Sequence, residues 1–356
     1  MVKIKALSNQ RGVAAIIVGV SMVMFLGFAA LAVDLGYYWV TQNELQNVAD
    51  AAALGAARQL GVIYEGLSYG QMPTYVCDPA RLINVAREIA VKNGAGGKAV
   101  AINDSDVTIG RWNASTKVLT PTLTGPDAVS VQVRRDSSAN GPISTFFAMI
   151  WGKDTMDVRA MATAALTGES SAEPESVIPV GISSQWFERQ PDGGFCGKVI
   201  QFIPTSEDSC AGWNTYERSP ADAAYLRRTI LEGWVEGTFP PPDSTPYNVG
   251  DEFVFVGGNL AKAHTAFLNL FDYMKTRDND LDPTAWTTKV VVYEDDICGN
   301  PHGPMTVAGF ATAIIKDVGT PPNHIIVASV ICDNIDEGRG GGGTYGTLGS
   351  IPGLVQ

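Results

Sequence analysis

Histidine is scarce in this chain. There are three in 356 residues: His264, His302 and His324. There is no C-x-x-C pair and no D-x-S-x-S cation motif, and Asp136-Ser137-Ser138-Ala139-Asn140 fails the latter. Gly66-Leu67-Ser68-Tyr69-Gly70 has the letters G-x-S-x-G but stands in the loop read over 61–79, not on a strand-to-helix elbow. Gly193-Gly194, Gly257-Gly258 and Gly340–Gly343 lack the strand–loop–helix setting and the lysine of a phosphate cradle. These gaps argue against zinc-ribbon sites and nucleotide loops as routes to chemistry. Positive charge is short as well. Lys and Arg number 25 against 37 Asp and Glu, for a net charge of −12. That balance argues against nucleic acid as a partner and against electrostatic adhesion to anionic lipid. The longest gap is local: Gly12–Val33 carries no charge at all, and no Lys or Arg stands between Arg11 and Arg58.

What fills that gap is GVAAIIVGVSMVMFLGFAALAV. At about 1.5 Å per residue it is long enough to cross the roughly 30 Å hydrocarbon core of a bilayer. Lys3, Lys5 and Arg11 precede it, Asp34 ends it, and Tyr37, Tyr38 and Trp39 follow as an interfacial aromatic belt would. The asymmetry of positive charge places the N-terminus in the cytoplasm and residues 34–356 outside. The alternative is a cleaved signal peptide, with Ala30-Leu31-Ala32 as the cleavage site. The apolar core is longer than an ordinary signal core, and the helical pattern continues through the supposed cut, so an uncleaved anchor is favoured.

Residues 34–60 contain no proline, and alanine fills six of the nine positions Ala49–Ala57. The composition extends the anchor as one helix to about residue 60. Leu45, Ala49, Ala52, Ala56 and Leu60 share a face. Gly12, Ala15 and Gly19 are small positions within the span. Such faces serve either packing on the chain's own body or lateral association with partner helices.

Five cysteines, Cys77, Cys196, Cys210, Cys298 and Cys332, lie beyond the anchor in an oxidising compartment. The expected pairs are Cys196 with Cys210 and Cys298 with Cys332. Cys77 is left over, either free or paired between chains.

Beyond residue 60 the pattern is α+β. A loop over 61–79 leads to a helix over 80–92 started by Asp78-Pro79. Strands follow at 106–113, 128–134 and 156–166, with an amphipathic helix at Ile143–Trp151. A polar linker, Gly168–Pro179, marks a boundary. After it come helices at 220–235 and 260–274 and β-branched runs at 287–293, 305–315 and 324–332, the last two alternating as neighbours would. The division expected is 1–60 (stub, anchor and helical extension), 61–168 and 169–338 (two α+β domains), and 339–356 (a loose glycine-rich tail).

The remaining chemical candidates are thin. His302 follows Cys298 and the acidic run Glu294-Asp295-Asp296, and a disulfide-closed turn explains that cluster as well as a metal does. Asp278–Asp282 begins like a calcium loop, but Pro283 and Lys289 stand where glycine and glutamate are required. No cofactor is implied.

The run Leu31-Ala32-Val33-Asp34-Leu35-Gly36, then Leu45-Gln46-Asn47 and Ala49-Asp50-Ala51-Ala52-Ala53-Leu54, resembles the N-terminal signature of the TadG-like proteins of tight-adherence (Flp) pilus systems. Gly110–Trp112, Val131–Arg135 and Ala160–Ala165 are similar to the conserved region that follows the anchor in that family. Asn248–Asp251 and Val307–Ala311 resemble the C-terminal halves of some members. The resemblance implies a single-pass inner-membrane protein with a periplasmic scaffold or interaction body. Its partners would be pilus-assembly proteins or pilin-like helices, with self-association open and no catalytic role. The second reading is a minor pilin-like fibre subunit. Pilins carry a glutamate five residues after the processing glycine; counted from Gly12 that position is Ile17, which argues against processing.

Overall fold

The computed structural model describes residues 10–67, 71–190, 194–202, 210–217, 222–240, 245–256, 260–277, 282–299, 301–320, 322–332 and 334–356, with side chains from residue 13 onward. The doublet Gly257-Gly258 and most of the acidic turn Asp278–Asp282 lie outside them.

Helix α1 runs unbroken over Gln10–Glu65, 56 residues, one turn further than the composition indicates. Its two halves live in different surroundings. Val13–Val33 is exposed apart from a few positions, whereas Leu45, Ala49, Ala52, Ala56 and Leu60 are completely buried. Burying a leucine side chain stabilises by about 1.5–3 kcal/mol, so Leu45 and Leu60 hold this half strongly. Helix α2, Pro79–Val91, packs on it through Leu82, Ala86 and Ala90. Asp78 starts α2 as its cap, accepting the Ala80 N–H.

The other wall of this first core is an antiparallel sheet. Strands β1 (Val107–Asn113), β2 (Val118–Pro121), β3 (Ala128–Arg135) and β4 (Val158–Ala165) are ordered β4-β3-β1-β2. β3 starts far from the membrane span and ends beside it: the Arg135 guanidinium donates to the Ala95 carbonyl (2.9 Å), and the Tyr37 hydroxyl of α1 donates to the neighbouring Gly96 carbonyl (3.3 Å). The antiparallel register Gly110↔Ala128 therefore places the β1–β2 turn at the end remote from the span.

Ile143–Trp151 does not form the expected amphipathic helix. Ile143–Ser144 pairs with Thr155–Met156, and between them lies a single 3₁₀ turn, Ala148–Trp151, closed by left-handed Gly152. The segment is a finger, and Phe146, Phe147, Met149, Ile150 and Trp151 at its tip face solvent.

The second core begins past residue 168. Strands β5 (Gly168–Glu169), β6 (Val177–Ser183), β7 (Val199–Phe202), β8 (Ala211–Asn214), β9 (Glu252–Val256), β10 (Trp286–Tyr293), β11 (Gly303–Val318) and β12 (Ile326–Ile331) supply it. The sheet order is β7-β12-β11-β9-β8-β6-β10, and β10 also pairs with β11, so the sheet curls back on itself. β11 and β12 are antiparallel neighbours, as their alternation indicates. Helix α3, Ala261–Met274, buries Phe267, Leu270 and Phe271 in this core. The part of Gly168–Pro179 read as a polar linker is partly built in, with Gly168 and Glu169 buried and every residue of β6 buried.

The four paired cysteines join in a nested pattern: Cys196–Cys332 encloses Cys210–Cys298. The expectation of Cys196–Cys210 and Cys298–Cys332 is thus corrected. Cys196 sits just before β7 and Cys332 just after β12, and those strands pair, so the disulfide follows the ladder rather than nearness in sequence. Cys77 is unpaired and buried under the first core, and burial raises its thiol pKa.

The last eighteen residues are not a loose tail. Strands β13 (Asn334–Gly342) and β14 (Thr347–Ile351) pair with each other and with β5, and β15 (Gly353–Leu354) adds a fifth strand to the first sheet beside β4. Glycine makes this possible by close approach: a Cβ on Gly342 would stand 2.1 Å from the Glu169 carbonyl oxygen, and one on Gly61 of α1 would stand 2.2 Å from that of Ser350. The chain's end therefore laces both cores to α1.

Candidate membrane and interaction site

Three positions on α1 define where the span meets the body. Asp34 is 4% exposed, although it directly follows the apolar run. Its carboxylate accepts three backbone N–H groups from the finger: Phe146 at 2.7 Å on Oδ1, and Phe147 at 3.1 Å and Ala148 at 2.7 Å on Oδ2. Burial works against the charge, and the backbone donors outweigh it, so the carboxyl is held below the ordinary carboxylate range. Three residues on, Tyr37 meets Phe146 edge-to-face with ring centroids 5.4 Å apart. Two turns on, Glu44 Oε2 accepts the Gly96 N–H at 2.6 Å. The finger and the 94–99 hairpin thus form a collar around the helix at its exit from the span.

Among the sequence-derived positions, Ala15 and Gly19 lie on the exposed surface of the span, and nothing stands within 4 Å of a Cβ placed on Gly19. Gly12 lies within α1, and its surroundings fall outside the described residues. The alanine face is different. Leu45, Ala49, Ala52 and Ala56 are enclosed by the chain's own sheet and α2. The partner-packing use of that face is therefore replaced by an intramolecular one: small side chains let α1 lie close on its own sheet. The collar itself was not anticipated. Its one signal was an aspartate closing an apolar run with no nearby cation to pair with it.

The chemical candidates resolve into structural roles. His264 lies on the buried face of α3, its Nε2 2.7 Å from the Gly319 carbonyl, with the ring edge-to-face on His324. Burial holds its pKa below the ordinary imidazole value, against that hydrogen bond. The cysteine beside His302, Cys298, is tied to Cys210. Asp136 accepts the Ser138 and Ala139 N–H groups and faces Arg159, which makes a closed turn. Among the described residues no three His, Cys, Asp or Glu side chains converge as a metal site requires. One charged cluster is deeply buried: Lys289 on β10 lies 2.7 Å from Glu169 and 3.0 Å from Asp336. It joins β5, the second sheet and the returning C-terminal segment.

An apolar helix exposed over its first half and rooted in the body by its second half is the arrangement of a membrane-anchored protein, and α1 is long and apolar enough to cross a membrane. Residues 12–59 match the family model described as Flp pilus-assembly TadE/G-like, and residues 72–164 match Tad-like Flp pilus-assembly. Over these two stretches the chain is similar to the TadG-like proteins of tight-adherence pilus systems. The two matches cover α1, α2 and the first sheet and stop short of the second core. No curated protein and no solved structure matches the chain.

Proposed function

We propose that this protein is a single-pass anchor and scaffold of a tight-adherence pilus system. In this reading Val13–Val33 crosses the inner membrane with the N-terminus in the cytoplasm. Residues 34–356 form a periplasmic body that works by binding other pilus-assembly proteins rather than by catalysis. The observation that carries it is the continuity of α1. One rigid helix runs from the span into the middle of the first core, and the Asp34 collar fixes the angle between them, so the body is held in one orientation to the bilayer. A rigid mount suits a docking platform, because a partner then meets a surface of fixed height and direction. Ile17, where a pilin would carry glutamate, supports an anchor that stays in the membrane over a subunit that leaves it.

The test is to shear and purify fibres from cells making this protein and to assay both fibres and membranes for it. The scaffold reading expects the chain in the membrane fraction and absent from washed fibres. Recovery in the fibres in fixed proportion to the major pilin would overturn it in favour of a fibre subunit.

A further inference from the structure

Among the described residues of the body, the finger tip holds the densest run of exposed large apolar side chains. Phe146, Phe147, Met149, Ile150 and Trp151 are 55%, 39%, 53%, 72% and 73% exposed within six consecutive residues. Soluble surfaces scatter such residues singly, and a contiguous patch marks a contact with something apolar. The position of this patch identifies the contact. The backbone N–H groups of Phe146–Ala148 are bonded to Asp34, the residue at which the span ends. The 3₁₀ turn Ala148–Trp151 lies against α1. Ala30, one turn inside the span from Asp34, is the only buried residue between Val13 and Val33. The tip is therefore at the height of the last turn of the span, on the side of the helix where the body sits.

We infer that the tip Phe146–Trp151 is a second membrane contact, dipping into the outer leaflet of the same bilayer that Val13–Val33 crosses. Phenylalanine, tryptophan and methionine are suited to that depth, where an apolar body meets a wet headgroup layer. Exposed Lys153 follows at once, placed to reach headgroup phosphates. The anchoring is apolar, so it stands with the net charge of −12, which disfavours electrostatic adhesion. The hydrogen bonds to Asp34 satisfy the backbone donors that open the turn, which removes the cost of taking them into the interface. With two points of attachment, span and finger, tilting of the body relative to the bilayer is opposed. The inference rests on the proposed span.

The experiment uses the full chain in phosphatidylcholine nanodiscs, one copy per disc, with an environment-sensitive NBD fluorophore on a single introduced cysteine. The three versions are Phe25→Cys in the span, Ile150→Cys at the tip and Thr116→Cys in the remote β1–β2 turn. All three side chains are exposed, so the fold tolerates them, and buried Cys77 does not compete for the label. Discs doped with doxyl-labelled lipid are then compared with plain ones. The expected result is blue-shifted emission and loss of most intensity on doping at both Phe25→Cys and Ile150→Cys, with neither at Thr116→Cys. If Phe25→Cys is quenched and Ile150→Cys behaves like Thr116→Cys, the span stands and the finger contact is overturned; the patch then faces a protein. If Phe25→Cys is not quenched, the span itself fails and the finger contact with it.

Discussion

Replacing Lys289 with methionine is expected to destabilise the protein by about 3–5 kcal/mol at pH 8, the usual cost of leaving a buried charge without its partner. Glu169 is completely buried; its Oε1 accepts from Lys289, and its Oε2 has no hydrogen-bond partner. Lys289 is the cation shared between it and the more exposed Asp336. One cation between two carboxylates cannot neutralise both, and the environment divides the effect. Burial pushes the Glu169 carboxyl up to about 7 despite the attraction of Lys289. Burial also opposes the charge on Lys289, but the two carboxylates outweigh it and raise its pKa. The sign for Glu169 follows. Its pKa is higher folded than unfolded, so its contribution is fully present below about pH 4.5 and is lost as pH rises through about 7. Wild-type stability should therefore fall between pH 5 and pH 8 through this group, by on the order of 1–3 kcal/mol. Glu169→Gln should flatten that slope. Lys289→Met should lose less at pH 5, where Glu169 takes up a proton, than at pH 8. Denaturant titrations of the three proteins at both pH values check this; a Lys289→Met penalty independent of pH would contradict it.

The second large effect is expected from the double variant Cys196→Ser/Cys332→Ser. The bond closes a separation of 136 residues, of which the enclosed Cys210–Cys298 bond already spans 88, so chain entropy for the remaining loop of about 50 residues gives about 4 kcal/mol, with measured cases more often about 2–4 kcal/mol. Among the described residues β7 lies at the edge of the second sheet and pairs with β12 alone, so the lost cross-link should be felt as fraying of that edge. Thermal melts should show a drop in Tm, and the first core, which contains no disulfide, should be affected less. Peptide mapping without reductant should recover Cys196 joined to Cys332 and Cys210 joined to Cys298. Recovery of Cys196 joined to Cys210 would contradict the structure.

Elements whose sequence carries a clear period were legible before the structure. The buried stripe Leu45–Leu60, the Asp78-Pro79 start of α2, the strands around Val131 and Ala160, and the pairing of β11 with β12 all follow from side chains that must face one core. What the sequence concealed was decided by contacts distant along the chain. Gly338–Gly343 reads as loose because glycine has no side chain to bury, yet the same lack of a Cβ lets β13 lie against β5. The cysteine partners were set by the β7–β12 ladder, which spacing does not encode. Ile143–Trp151 has a helix-like apolar content, but Ile143–Ser144 is drawn into a strand pair with Thr155–Met156 and left-handed Gly152 ends the turn, so one 3₁₀ turn remains, its opening donors capped by Asp34. Lys289 read as a misplaced residue of a failed calcium loop, and it is the buried cation of the second core.

The collar ties these findings to the role in pilus assembly. A body laced to α1 at Asp34, at Glu44 and again at Gly61 cannot part from its anchor without breaking its first core. The anchored reading therefore requires that the span be present in the working protein. The most direct measurement is the N-terminal sequence and intact mass of the protein extracted from membranes. The account predicts a chain that retains the residues ahead of Gly12 and the whole of Gly12–Val33. A chain beginning at Val13, as after prepilin-type cleavage, or one beginning after Ala32, as after removal of a signal peptide, would contradict it.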